Sequence, residues 1–317
     1  MLRCLISILS VSTVAFCGAV HAQEFPTRPV RIVTSAVGGT TDLVARLIAQ
    51  GLTASLGQQV IVDNRPTGII PGEIVVKAPP DGYTLLFSGS SLWMMPLLQK
   101  VPFDPVKDLA PIALGSSTPN LVVVHPSLPA TTVKDLIALA KAKPGALNYG
   151  SGATGASSHL GAELFKYMAG VNIVRIPYKG QGPAVLGLLG GEVQISFATS
   201  ASVAAHIKSG KLRALAIATA KPSALAPGLP TVAESGLPGY QSASNAGMFA
   251  PVRAPVRLIT LLNREIVQAL NKQEVKDLLF RDGTEVAGSS PQEFAASIKA
   301  EMASLGKVIK AAGIRTE

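Results

Sequence analysis

The chain has 317 residues, of which 48% are hydrophobic and 15% charged, and a net charge of +9. That length exceeds one ordinary core and suits two α/β lobes. Lys and Arg are scattered, no basic run occurs, and only 5% of residues are aromatic, which argues against nucleic acid and for a field favouring small anions.

Residues 1–22 read as a signal peptide. "MLR" is a basic start, Leu5 to Val20 is an apolar stretch, and Val20 and Ala22 are the small residues ahead of a cleavage site. Cleavage after Ala22 removes Arg3, taking the charge from +9 to +8. It also removes Cys4 and Cys17, the two cysteines. The mature chain then has no disulfide, no thiolate metal site and no Cys nucleophile. The charge-free run from Leu109 to Val133 is broken by four prolines, so no later stretch suits a bilayer span. The expectation is a soluble exported protein.

In chain order, "PVRIVTS" (29–35) predicts a strand and "AVGGTT" a turn. The helix that follows carries Val44, Leu47, Ile48, Leu52 and Leu56 on one face and stops at Gly57. "QQVIVDN" and "PDGYTLLFSGS" predict further strands, giving βαβ logic and a mostly parallel sheet. "NLVVVHP" (120–126) is a strand ending at a proline. Thr132 and Asp135 have capping-box spacing, and Pro144-Gly145 stops that helix. "LNYGSG" opens a second strand, loop and helix, with Leu160, Leu164 and Met168 in one stripe. "NIVRIPY", "VQISFA", "LRALAIAT" and "GMFAPV" predict strands. Two amphipathic helices close the chain, the second announced by Ser290-Pro291-x-Glu293.

The same device therefore occurs twice: strand, Gly/Ser/Thr loop, helix. Each copy places a helix N-terminus beyond a strand's carboxyl end, where open α/β sheets bind ligands. The second loop contains Gly150-x-Gly152-x-x-Gly155, which looks like a dinucleotide fingerprint. A dinucleotide needs an acid at the end of the next strand; here stand Arg175 and Lys179. The glycines instead suit backbone amides turned toward another anion. His125, His159 and His206 have no metal spacing, and no Gly-x-Ser-x-Gly elbow occurs.

Candidate ligand-binding residues are Val37, Gly38, Gly39, Thr41 and Asp42 in the first loop, and Ser88, Ser90 and Trp93 after the third strand. From the second loop come Ser151, Gly152, Thr154, Ser157 and His159, followed by Tyr178, Lys179 and Thr199. Asp42 and His159 also suit structural roles in the first turns of their helices.

"VGGTTDLVARLIA", "VIVDNRP", "KAPPDGYTLLFS", "PFDPVKDLAPI", "GASSHLGAELF", "VRIPYKGQGPAV" and "LPTVAESGLPGY" carry a resemblance. From about Phe25 to the C-terminus the chain resembles the Bug family, the substrate-binding proteins of tripartite tricarboxylate transporters. The resemblance implies a two-lobed periplasmic-binding-protein fold of type II (a Venus flytrap), each lobe a mostly parallel sheet flanked by helices. It places lobe 1 at 23–123 and 250–317 and lobe 2 at 124–249, with hinge strands near 121–126 and 247–251. It implies no enzymatic activity, no cofactor and no metal, a small carboxylated ligand, integral-membrane transporter subunits as partners, and a monomer. A ligand sensor docking on a membrane receptor, or a hydrolase on the same scaffold, are the rival readings.

The chain departs from the family's pattern at Thr34, Ser35 and Val37, in the "TGIIPGE" loop, at Leu92 and Met95, at Ala156 and at Ala198-Thr199. These departures place Val37, Ile69, Ile70, Leu92, Trp93, Met94, Met95 and Ala198 near the cleft. On that basis the expected ligand is a carboxylate with an aromatic or branched aliphatic body.

Overall fold

The computed structural model describes residues 25–35, 37–65 and 69–315. The expected signal peptide and its cleavage site lie outside the described residues. No described helix is long and apolar enough to cross a membrane.

The chain begins with β1 (Val30–Thr34), α1 (Thr40–Leu56), β2 (Val60–Asn64), α2 (Ile70–Val76), β3 (Thr84–Gly89) and α3 (Ser91–Leu98). The long strand β4 (Leu109–Val124) follows. Then come α4 (Val133–Ala142), β5 (Asn148–Ser151), α5 (Ser157–Ala169), β6 (Val174–Pro177), α6 (Gln181–Leu189), β7 (Ile195–Thr199), α7 (Ser200–Lys208) and β8 (Arg213–Ile217). The last elements are β9 (Ala243–Pro251), α8 (Val256–Leu270), α9 (Gln273–Arg281), β10 (Glu285–Val286) and α10 (Pro291–Ala311).

Local chemistry sets several of these boundaries. α1 ends at Gly57 in the left-handed conformation (φ 68°), which only glycine adopts without strain. The capping boxes Thr132/Asp135 and Ser290/Glu293 both form, at α4 and α10. Val44, Ile48 and Leu52 of α1 pack with Leu262, Ile266 and Leu270 of α8 in one apolar layer.

β4 is far longer than the 120–126 strand expected from sequence. Its pairing with β9 shifts register between Pro111 and Ala113 and again between Leu114 and Ser116. Bulges of this kind accommodate a proline that a regular ladder rejects. Residues 109–119 of β4 pair with β9, and residues 120–124 pair with β7 and β8. One strand thus serves two halves of a curled sheet, with the change of partner at Pro119–Asn120.

The second crossing lies at Ser242–Ala243. The Ser242 amide donates to Ala218 O (3.0 Å), the Asn120 amide donates to Ser242 O (3.0 Å), and Ala243 pairs with Pro119. Residues 247–251 stay inside the first half, paired with β3 and β4. The expected crossings at 121–126 and 247–251 are therefore displaced toward the N-terminus of each strand.

Strand directions place the loops. β1, β2 and β3 run with β4, so their carboxyl ends point at the junction. β7 runs against β4 and ends at Thr199 opposite Asn120; β5 and β6 run with β7. The carboxyl ends of β1, β2 and β3 and those of β5, β6 and β7 therefore face the junction from its two sides.

Candidate functional site

The first loop joins β1 to α1. Gly38 has φ +92°, and the backbone there is exposed through Gly39. Asp42, only 4% exposed, accepts from the Gly38 amide (3.1 Å) and Asn64 Nδ2 (2.8 Å) and pairs with Arg46 (3.1 Å). Burial opposes its ionisation, yet the bonds from Asn64 and Gly38 and the Arg46 charge hold its carboxyl below the usual range. Asp42 is the anchor of the loop, and its oxygens are engaged by protein. Thr41 is half-buried in the first turn of α1, and Val37 is 72% exposed.

The second loop joins β5 to α5 and is wired from behind by Arg175 on β6. Arg175 Nε donates to Ser151 Oγ (2.9 Å), Nη1 to Thr154 Oγ1 (3.2 Å) and Nη2 to Gly152 O (3.0 Å). The Gly152 amide donates to Ser158 Oγ (3.2 Å) and the Gly155 amide to His159 Nδ1 (3.2 Å). His159 is 3% exposed and its pKa is pushed down to about 4, first by burial and then by the Arg175 charge. A neutral imidazole is what an Nδ1 acceptor requires.

These contacts correct the expected roles. Ser151 is fully buried, its oxygen held by Arg175, so its hydroxyl shapes the loop and does not reach the junction. Gly152 and His159 are spent on the loop's own hydrogen bonds. Thr154 is half-buried and keeps its hydroxyl hydrogen. Tyr178 donates to Glu192 (3.0 Å), and Thr199 Oγ1 donates to Ser202 (3.2 Å). Lys179 is exposed, and Ser88 is half-buried on β3 opposite Gly247.

The larger correction concerns the apolar residues. "SLWMMPLL" is the helix α3, with Leu92, Trp93, Met94 and Met95 all buried in the core. Trp93 is 1% exposed and sits against Phe249 and Phe294, with ring centroids at 6.0 and 5.7 Å. Ala198 is fully buried as well, while Val37 and Ile70 are exposed. Leu92 to Met95 and Ala198 therefore supply core and no pocket wall, because a helix that packs turns its apolar face inward. The reading of an aromatic or branched ligand is left resting on Val37, Ile69 and Ile70.

A cavity of about 650 Å³ opens at the junction. Its lining mixes polar side chains with apolar ones such as Leu160 and Leu305. Gly155 and Ser157 come from the second loop and the start of α5, and Ser90 from the start of α3. Ser242 and Asn245 come from the second crossing, and Glu301 from α10. Of the expected site residues, Ser90 and Ser157 line it. Sequence reasoning missed Ser242, Asn245 and Glu301. A signal for Glu301 did exist: Ser297, Glu301 and Ser304 form a polar i, i+4, i+7 stripe on α10, and all three line the cavity. Among the described residues no group of three or more His, Cys, Asp or Glu could hold a metal ion.

Comparison with known proteins places this geometry. Residues 44–314 match the family model described as the tripartite tricarboxylate transporter family receptor. The chain is 36% identical to the protein BugT of Bordetella pertussis, over 96% of this chain and 95% of that one. It is 38% identical to R. palustris Rpa4515, solved with adipate, with a TM-score of 0.78, covering 92% of this chain and 99% of that one. The periplasmic binding protein BugD is 30% identical, with a TM-score of 0.74, over 92% and 100% of the two chains. The curled sheet with its shared strand is the two-lobed fold of periplasmic binding proteins, and this chain belongs to the tripartite tricarboxylate transporter receptor family.

Proposed function

We propose that this protein is an extracytoplasmic solute-binding protein. It captures a small carboxylate in the periplasm, after export through its N-terminal signal, and presents it as a monomer to the membrane subunits of a transporter. The observation that carries the reading is the second loop. Arg175, Ser158 and His159 consume its inward-facing groups and hold it rigid. The amides of Ser157 and Ser158 begin α5, where no intrahelical acceptor exists. Ser157 borders the cavity. An anion placed there meets free N–H groups and the positive end of the helix dipole. The adipate bound by a protein of 38% identity fits the same chemistry. His159, buried and neutral with Nδ1 occupied, serves the loop rather than acting as a general base, which favours binding over hydrolysis.

The test is thermal unfolding of the mature chain with adipate and shorter dicarboxylates. A ligand at 100 times its Kd stabilises the protein by about 2.7 kcal/mol, a shift of several degrees. Gly39→Leu probes the first loop, because a Cβ there meets no protein atom within 4 Å and the exposed position leaves room for the side chain. The expected result is an unchanged Tm without ligand and a lost ligand shift. If Gly39→Leu keeps the full shift, the first loop is not part of the grip. If no carboxylate shifts the wild type, the reading fails altogether.

A further inference from the structure

We propose that Glu301 is a specificity-determining residue of the junction cavity: its carboxylate takes a hydrogen bond from an amino or hydroxyl group on the bound acid. The proposal rests on the carboxylate-binding reading and narrows the ligand class within it.

The geometry begins behind the cavity wall. Glu301 Oε2 accepts from Trp93 Nε1 (3.1 Å) and from Asn245 Nδ2 (3.4 Å). Trp93 is locked in the core between Phe249 and Phe294, and Asn245 sits on β9 at the crossing. The carboxylate is therefore held in one orientation, unlike a mobile surface acid. Both bonds fall on Oε2, and Oε1 has no partner among the described residues. Burial raises the Glu301 carboxyl above its usual range despite the two donors, so its charge is under-compensated.

The other charges of the cavity do not supply the missing partner. Lys221 borders it and makes no ion pair among the described residues. Glu285 is a second acid in the wall, whose Oε1 accepts from Ser223 Oγ (2.5 Å). The cavity thus presents two carboxylates and one ammonium, together with serine hydroxyls. One end of a bound acid has amide donors to meet, at Ser157. A second ionised carboxylate directed at Glu301 meets a like charge in a confined space, which is unfavourable. An ammonium or hydroxyl there completes the bonding of Oε1 instead.

The experiment compares three acids of one chain length: adipate, 6-aminohexanoate and 6-hydroxyhexanoate. Titration calorimetry is run on the wild-type mature chain and on Glu301→Gln, which keeps an acceptor for Trp93 and Asn245. Wild type is expected to bind one or both donor-bearing acids at least tenfold more tightly than adipate. Glu301→Gln is expected to erase that preference, by weakening the donor-bearing acid tenfold or more and by tightening adipate. A larger loss for the amino acid identifies an ammonium as the recognised group, a larger loss for the hydroxy acid identifies a hydroxyl, and equal losses show that Glu301 takes either donor. Emission from Trp93, the single tryptophan, reports whether the variant keeps the wall intact. A preference that stays within twofold in a folded variant overturns the proposal while leaving the carboxylate reading standing. If the wild type binds none of the three acids, the proposal is overturned, and the carboxylate reading is judged separately by the thermal shifts with shorter dicarboxylates.

Discussion

Arg175 makes three hydrogen bonds to the second loop and does not line the junction cavity, so its removal tests whether loop order controls binding. A net hydrogen bond contributes about 1 kcal/mol, and more when the donor is charged. Three bonds to Ser151, Thr154 and Gly152 then amount to about 3 kcal/mol in Arg175→Gln, shared between global stability and the order of the loop. If half of this loosens the loop alone, the ligand must restore that order on binding. At about 1.4 kcal/mol per tenfold, Kd rises by about one order of magnitude. The other half lowers Tm by a few degrees in a chain of this size. Arg175→Lys separates charge from geometry, because lysine keeps the charge and loses the planar fork. The expected ranking is wild type tightest, with lysine close to glutamine, because the fork does the positioning. Calorimetry with the best dicarboxylate and differential scanning calorimetry read the two quantities. A Kd within twofold of wild type in Arg175→Gln, alongside a lowered Tm, refutes the placement of the ligand on this loop.

Two further predictions follow from buried contacts. His159 has a folded pKa of about 4, below its unfolded value near 6.5, so the folded state resists the proton. The stabilisation is complete above pH 6.5 and is lost as pH falls from 6.5 toward 4, by about 3 kcal/mol in total. Denaturant unfolding at pH 7.5 and pH 4.5 is expected to show a smaller acid loss in His159→Gln than in wild type; equal losses contradict the assignment. Gly283 has φ +74°, and a Cβ there stands 2.7 Å from Ala201 N, across the contact where Ser200 Oγ donates to Gly283 O (2.6 Å). Gly283→Val is expected to push the two halves apart, enlarging the radius of gyration in small-angle scattering and weakening ligand binding at least tenfold. Unchanged scattering and affinity would show that the halves do not close through this contact.

The sequence by itself determined what depends on neighbours within a few residues. The strand–loop–helix device appears at 30–56 and 148–169, the capping boxes form at Thr132 and Ser290, and α1 stops at Gly57. Caps, turns and periodic faces are local physics, so short windows carry them. Tertiary structure decided the rest, because the partners lie far apart in the chain. Ser151 reads as a free loop hydroxyl until Arg175, 24 residues on, takes its oxygen. The apolar run from Leu92 to Met95 looks like a pocket wall after a strand. It becomes core because α3 forms and Trp93 meets Phe249 and Phe294, which arrive from β9 and α10. The length of β4 was hidden by Pro111 and Pro119, breakers in isolation that bulges and the crossing point tolerate. Glu301 enters the cavity wall only because α10 lies beside Trp93, 208 residues away, and Asn245. Such contacts depend on how the chain closes on itself, which no local pattern encodes.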